Sequence, residues 1–129
     1  MAITCNGGYA QLAKLGVAES ATAFGYVAIG TGTGQTAAST TLATESVASG
    51  LARAAATATT VTTTVANDTM QWYKVWTSGA TATITEWGAF NNATKDLGQM
   101  AMYAELSPAA SLLSGYTLTI TGKCQLKAD

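Results

Sequence analysis

Strict alternation of threonine with apolar residues is the feature that most limits what this chain can become. In Tyr116-Thr-Leu-Thr-Ile-Thr121, Leu118 and Ile120 point one way and Thr117, Thr119 and Thr121 the other. β-Branched side chains are stiff about χ1, which penalises a helix and suits a pleated strand. Met70 to Trp76 sets Met70, Trp72, Lys74 and Trp76 against Gln71, Tyr73 and Val75. Thr81 to Phe90 sets Ile84 and Glu86 against Thr83, Thr85 and Trp87. Further strands are expected at Phe24–Ile29, Thr60–Thr64 and Gln99–Leu106. Turn signals separate them at Gly30–Gly34, Asn67-Asp68, Ser78-Gly79, Asn91–Gly98 and Pro108.

Helical spacing is scarce. Tyr9, Leu12 and Leu15 recur at three-residue intervals and predict a short helix over 8–16, ending at Gly16. One or two helical turns are expected over 39–48, with Thr41 as cap and Glu45 near the matching position. The pattern as a whole predicts a mainly β fold. It is read as an antiparallel β-sandwich or barrel of about six to eight strands, with one or two short helices. Residues 1–129 are read as one domain, with an N-terminal arm over 1–8 and an exposed Gly/Thr/Ala loop over 30–40.

Charge is unusually sparse. Six basic and seven acidic residues make 10% of the chain, against about a quarter in ordinary soluble domains. Alanine (26 residues) and threonine (23) take much of the space left. Such a surface is either covered by neutral polar groups or hidden in an assembly. A net charge of −1 gives no electrostatic reason to bind nucleic acid or an anionic membrane. There is no histidine, which removes the commonest general base, the Ser-His and Cys-His nucleophile systems and most zinc sites. No run is apolar enough for a membrane helix, and Met1–Asn6 carries neither a basic nor an apolar leader segment. No cofactor is expected.

Cys5 and Cys124 fit no metal spacing. They are read as two small buried thiols, with a disulfide joining the first strand to the last as the alternative. Gly30-Thr31-Gly32-Thr33-Gly34 invites a nucleotide-binding reading. It lacks the third glycine of a dinucleotide fingerprint and the Gly-Lys-Ser/Thr of a P-loop, so a tightly turning surface loop is expected. The carboxylates Glu19, Glu45, Asp68, Glu86, Asp96 and Glu105 are scattered. Glu86 is the most interesting because it lies inside a strand; pairing with Lys74 or an edge position is its plain reading. Trp72, Tyr73, Trp76 and Trp87 are read as core or subunit interface, with a sugar-stacking platform as the alternative. Spaced threonine pairs such as Thr117/Thr119 and Thr119/Thr121 show no fixed repeat, so solvent-facing strand positions are expected instead of an ice-binding lattice.

The order of segments carries more than any single motif. A short Ala/Leu/Lys helix precedes Phe-Gly-Tyr-Val-Ala-Ile-Gly-Thr-Gly-Thr-Gly (24–34). Then follow Thr-Leu-Ala-Thr-Glu (41–45), Gly-Leu-Ala-Arg (50–53), Ile-Thr-Glu-Trp-Gly-Ala-Phe-Asn (84–91) and Ser-Gly-Tyr-Thr-Leu-Thr-Ile-Thr (114–121). Over most of its length the chain resembles a group of small tailed-bacteriophage virion proteins. It departs from their pattern at Tyr116, where Asp is frequent, and at Met100-Ala-Met102, where an arginine is common.

The resemblance implies a non-enzymatic virion part, foremost a capsid cement or decoration protein on the capsid surface, made in the host cytoplasm. Its implied partners are the major capsid protein and further copies of itself, as trimers or dimers. A tail, baseplate or fibre component with receptor or carbohydrate binding is the rival reading, and a small glycosidase a third. The expected contact residues are Ala2, Ile3 and Thr4 in the arm, Gly30, Thr31, Gly32, Thr33 and Gly34 in the loop, and Trp72, Trp76 and Trp87.

Overall fold

The computed structural model describes residues 2–127. Among them eight strands form two antiparallel sheets, and one helix links the first two strands of the larger sheet in chain order. In chain order they are β1 (Ala2–Thr4), α1 (Asn6–Gly16), β2 (Tyr26–Gly30), β3 (Ala54–Ala55), β4 (Thr57–Val61), β5 (Thr69–Thr77), β6 (Ala82–Phe90), β7 (Met100–Leu112) and β8 (Thr117–Gln125). The larger sheet runs β1-β7-β6-β2-β3 and the smaller β4-β5-β8. The mainly β sandwich expected from the alternation is therefore what forms.

Two apolar layers hold it together. Between the sheets, Val27, Ile29, Ile84 and Trp87 pack against Trp72, Trp76 and Ile120. On the opposite face of the large sheet, Cys5, Ala28, Leu42, Phe90, Met100 and Tyr103 form a second cluster. The large sheet is thus covered on both faces. For that reason β2, the second half of β6 and the first half of β7 are buried almost without alternation.

The three tryptophans belong to the inter-sheet layer. Trp72, Trp76 and Trp87 are 2%, 3% and 7% exposed, so of the readings offered for them core is the one that holds, and their expected role as contact residues or sugar platform is corrected. A deeply buried indole N–H is usually hydrogen-bonded, and the two most buried of the three are. Trp72 donates to the Phe24 carbonyl at 2.8 Å and Trp76 to the Ala52 carbonyl at 3.0 Å.

Four other expectations change. The arm is part of the body: β1 pairs with Met102–Ala104 and Cys5 and Gly8 are buried, while Met1 lies outside the described residues. Cys5 and Cys124 are free thiols in different clusters, as the first reading had it, but Cys124 is only half-buried, and the disulfide alternative is not formed. The strand expected over Thr60–Thr64 ends at Val61. The Asp68 carboxylate accepts the N–H groups of Thr63, Thr64 and Val65 at 2.9 to 3.0 Å, which turns the chain before β5. Finally, β7 continues through Pro108, where a loop was expected. Ile84 faces Ala110 but Glu86 faces Glu105, so the stretch between bulges away from the ladder. A proline without an N–H is tolerated in such a bulge.

Candidate functional site: the anchored loop between residues 31 and 48

β2 ends at Gly30, and the chain then runs without a helix or strand until β3 begins at Ala54, with Leu42 packed on the outer face of the large sheet. An irregular segment must place its backbone hydrogen bonds somewhere. Here a buried carboxylate takes them. Glu86, on β6, is fully buried. Its Oε1 accepts the N–H of Gly32 at 3.1 Å and of Thr44 at 2.9 Å, and its Oε2 accepts the N–H of Ala43 at 3.2 Å. The neighbouring Thr85 hydroxyl donates to the Gly32 carbonyl at 2.7 Å. Three charge-assisted bonds therefore stand in for solvent around the buried anion.

The glycine spacing follows from this geometry. A Cβ on Gly30 would lie 2.4 Å from the Thr44 carbonyl oxygen and 2.5 Å from Glu86 Oε1. On Gly32 it would lie 2.4 Å from the Ala43 Cβ and 2.8 Å from the Thr44 nitrogen. The Gly-Thr-Gly motif admits a second backbone pass and a carboxylate, where a phosphate cradle was the reading set aside.

A second anchor lies at the other end of the loop. Glu45 and Arg53 form a bidentate pair, with Nη2 to Oε1 at 2.7 Å and Nε to Oε2 at 3.1 Å. Both side chains are 2% exposed. The remaining terminal nitrogen, Nη1, donates to the carbonyls of Asn92 and Thr94 at 3.0 Å and of Leu97 at 3.2 Å. The guanidinium carbon lies over the Phe90 ring, 3.7 Å from its centre. One arginine thus fixes the 41–48 segment, the 92–97 loop and the end of β6 together. Only arginine presents so many donors in one plane.

Glu105, opposite Glu86 across the β6–β7 pair, supplies a third anchor. It accepts the Gly34 N–H at 2.9 Å and the Tyr103 hydroxyl at 2.5 Å. The Tyr103 bond, followed by that from Gly34, holds the Glu105 carboxyl below its usual range. Burial, then the bond to Glu105, pushes the Tyr103 hydroxyl up. The loop is also tied to α1, where the Asn6 N–H donates to the Ala37 carbonyl at 2.7 Å.

These contacts explain why 39–48 is not helical. The amides of Ala43 and Thr44 are committed to Glu86, and that of Ser46 to the Ile29 carbonyl at 2.9 Å. None is free to bond four residues back. Glu86 pairs with backbone, so its expected pairing with Lys74 is corrected as well. What the loop presents outward is neutral: Thr31, Thr33, Gly34, Thr36, Ala37 and Ala38 are exposed. Of the expected contact residues, Gly30 is buried, Gly32 half-buried, and Ile3 and Thr4 half-buried in β1. Ala2 lies in β1 opposite Ala104.

Chemically, the site is saturated. No buried side-chain nitrogen or oxygen among the described residues lacks a partner. The described ion pairs are Glu45–Arg53 and the exposed Lys95–Asp96. The arrangement fastens a loop. Six residues of the segments that carry the resemblance (Gly30, Gly32, Glu45, Arg53, Glu86 and Phe90) meet in it, although 56 positions separate Gly30 from Glu86, while the closing segment 114–121 lies in the small sheet. No family model, curated protein or solved structure matches this chain.

Proposed function

We propose that this chain is a non-enzymatic virion structural protein of the capsid cement kind, which binds major capsid subunits at the capsid surface through the anchored loop. The observation that carries the reading is the convergence of residues from four of the resemblance segments on a network whose carboxylates are engaged by backbone N–H groups, Arg53 and the Tyr103 hydroxyl. Glu86 is fully buried and engaged by three backbone N–H groups, a poor position for an acid or base that must reach a substrate. Its work is to hold a neutral surface in one shape before any partner arrives. Preorganisation lowers the entropy lost on association, and interface centres are depleted in Lys, Glu and Asp. Binding only to the assembled lattice would stabilise that lattice by mass action, each copy adding a modest share.

The test uses purified empty heads and virions. A gold-labelled copy should decorate heads in negative-stain images. Thr33→Glu and Ala38→Glu, at the exposed loop surface, should abolish decoration without changing the melting temperature. Label confined to tails, or decoration indifferent to both substitutions, overturns the reading.

A further inference from the structure

Among the described residues one sheet edge is longer and less interrupted than the others. Edge strands invite pairing with other chains, and folded proteins blunt them by shortness, bulges, proline or charge. β1 has three residues, β3 two and β4 five. The stretch of β7 beyond β1 carries Pro108 and the bulge opposite Thr85. β8 differs. All nine of its residues pair with β5 in unbroken register, from Thr69↔Gln125 to Thr77↔Thr117. Among the described residues no strand pairs with its other side. It contains no proline and a single charge, Lys123.

The ladder shows which groups are free. Just beyond the two ends of the β5–β8 pair, Leu126 N–H donates to the Asp68 carbonyl at 2.8 Å and Ser78 N–H to the Tyr116 carbonyl at 2.8 Å. Both pairs keep the register of the ladder. In an antiparallel pair the hydrogen-bonded positions alternate. Even-numbered residues of β8 therefore bond to β5, and Thr117, Thr119, Thr121, Lys123 and Gln125 aim their N–H and C=O groups outward.

We propose that β8 pairs antiparallel with β8 of a second copy of this chain, about a two-fold axis at Thr121, to give a continuous six-stranded sheet. The strand is self-complementary in that register. Thr121 faces its own copy, Thr119 faces Lys123 and Thr117 faces Gln125, all at outward-bonding positions. These pairs supply about ten backbone hydrogen bonds. On the inner side, Leu118 meets Cys124 and Ile120 meets Gly122, large against small. No like charges meet, because each Lys123 lies beside a threonine. The inference stands apart from the virion reading, since it concerns the isolated chain and needs no head.

Sedimentation over about 1 to 300 µM should show a dimer of the 13.1 kDa chain. Thr121→Pro removes only an outward N–H, leaves the β5 ladder intact and should yield a folded monomer. Thr119→Lys sets lysine against Lys123 twice and should weaken the dimer about fivefold to tenfold, whereas Thr119→Glu should keep or tighten it. Amide exchange supplies a readout that needs no variant. The N–H groups of Thr119, Thr121 and Lys123 should lose protection on dilution, while those of Ile120 and Gly122 keep it. A wild-type monomer or trimer, a Thr119→Lys dimer as tight as wild type, or outward amides unprotected at every concentration overturns the proposal.

Discussion

Replacing Glu86 by glutamine changes one atom and reverses the logic of the loop. The amide oxygen can keep the N–H groups of Gly32 and Thr44, which share Oε1 in the native protein. The amide nitrogen then occupies the position of Oε2 and faces the Ala43 N–H, donor against donor. Bonds to a charged acceptor contribute about 1.5–3 kcal/mol and neutral ones about 0.5–1.5 kcal/mol. The two retained bonds therefore weaken by about 1 kcal/mol each, and the stranded Ala43 amide costs about 1–3 kcal/mol. The total is about 3–5 kcal/mol. For a domain of this size that lowers the melting temperature by about 12–20 °C, at about 4 °C per kcal/mol. Circular dichroism melts at pH 7 measure the loss. Exchange of the Gly32, Ala43 and Thr44 amides locates it, and these should exchange about a hundredfold faster in Glu86→Gln. A loss under about 1 kcal/mol, or a larger loss with those amides unchanged, refutes the assignment of Glu86 as the loop's anchor.

Three further outcomes follow from the same geometry. Gly32→Ala forces a methyl against the Ala43 side chain and the Thr44 backbone, and should destabilise by about 2–3 kcal/mol in urea unfolding. Arg53→Ala leaves Glu45 buried and unpaired and should cost about 3–5 kcal/mol, with Glu45→Leu/Arg53→Met much milder. The carboxyls of Asp68 and Glu105 are both held below their usual range, the first chiefly by the Val65 N–H and the second chiefly by the Tyr103 hydroxyl. A depressed folded value means stability that is present above the unfolded value and is lost as the pH falls through the folded one. Melting temperature should therefore fall below about pH 4, and less steeply in Asp68→Asn, measured between pH 7 and 2.

The strands that read well from sequence are those with one wet face. β5 and β8 keep a visible period of two because their outer sides meet solvent, and Gly16 ends α1 as its position suggests. β2 and β7 read less clearly because both faces of their sheet are covered. The segment at 39–48 misled for a different reason. Thr41 and Glu45 come within one residue of cap spacing, but the partners that decide the segment's fate lie far along the chain: Glu86 takes the amides of Ala43 and Thr44 across 43 and 42 positions. Local periodicity carries no record of such partners. The signal that was present is chemical, a lone carboxylate among threonines in a strand and two glycines one residue apart. Together these mark a place where backbone approaches an anion. The tryptophans illustrate the converse. Alternation placed Trp72 and Trp76 on one side of β5 correctly, but nothing in it says whether that side looks inward.

The indole bonds of those two tryptophans have a mechanical consequence. Each belongs to the small sheet, yet donates its N–H to backbone that leads into the large one, at Phe24 just before β2 and at Ala52 just before β3. They act as rivets across the layer and resist sliding of one sheet over the other. Separation of the sheets must break both at once and wet all three indoles. Tryptophan emission is consequently a built-in gauge of layer separation. It should shift to the red in the same transition in which the strands melt.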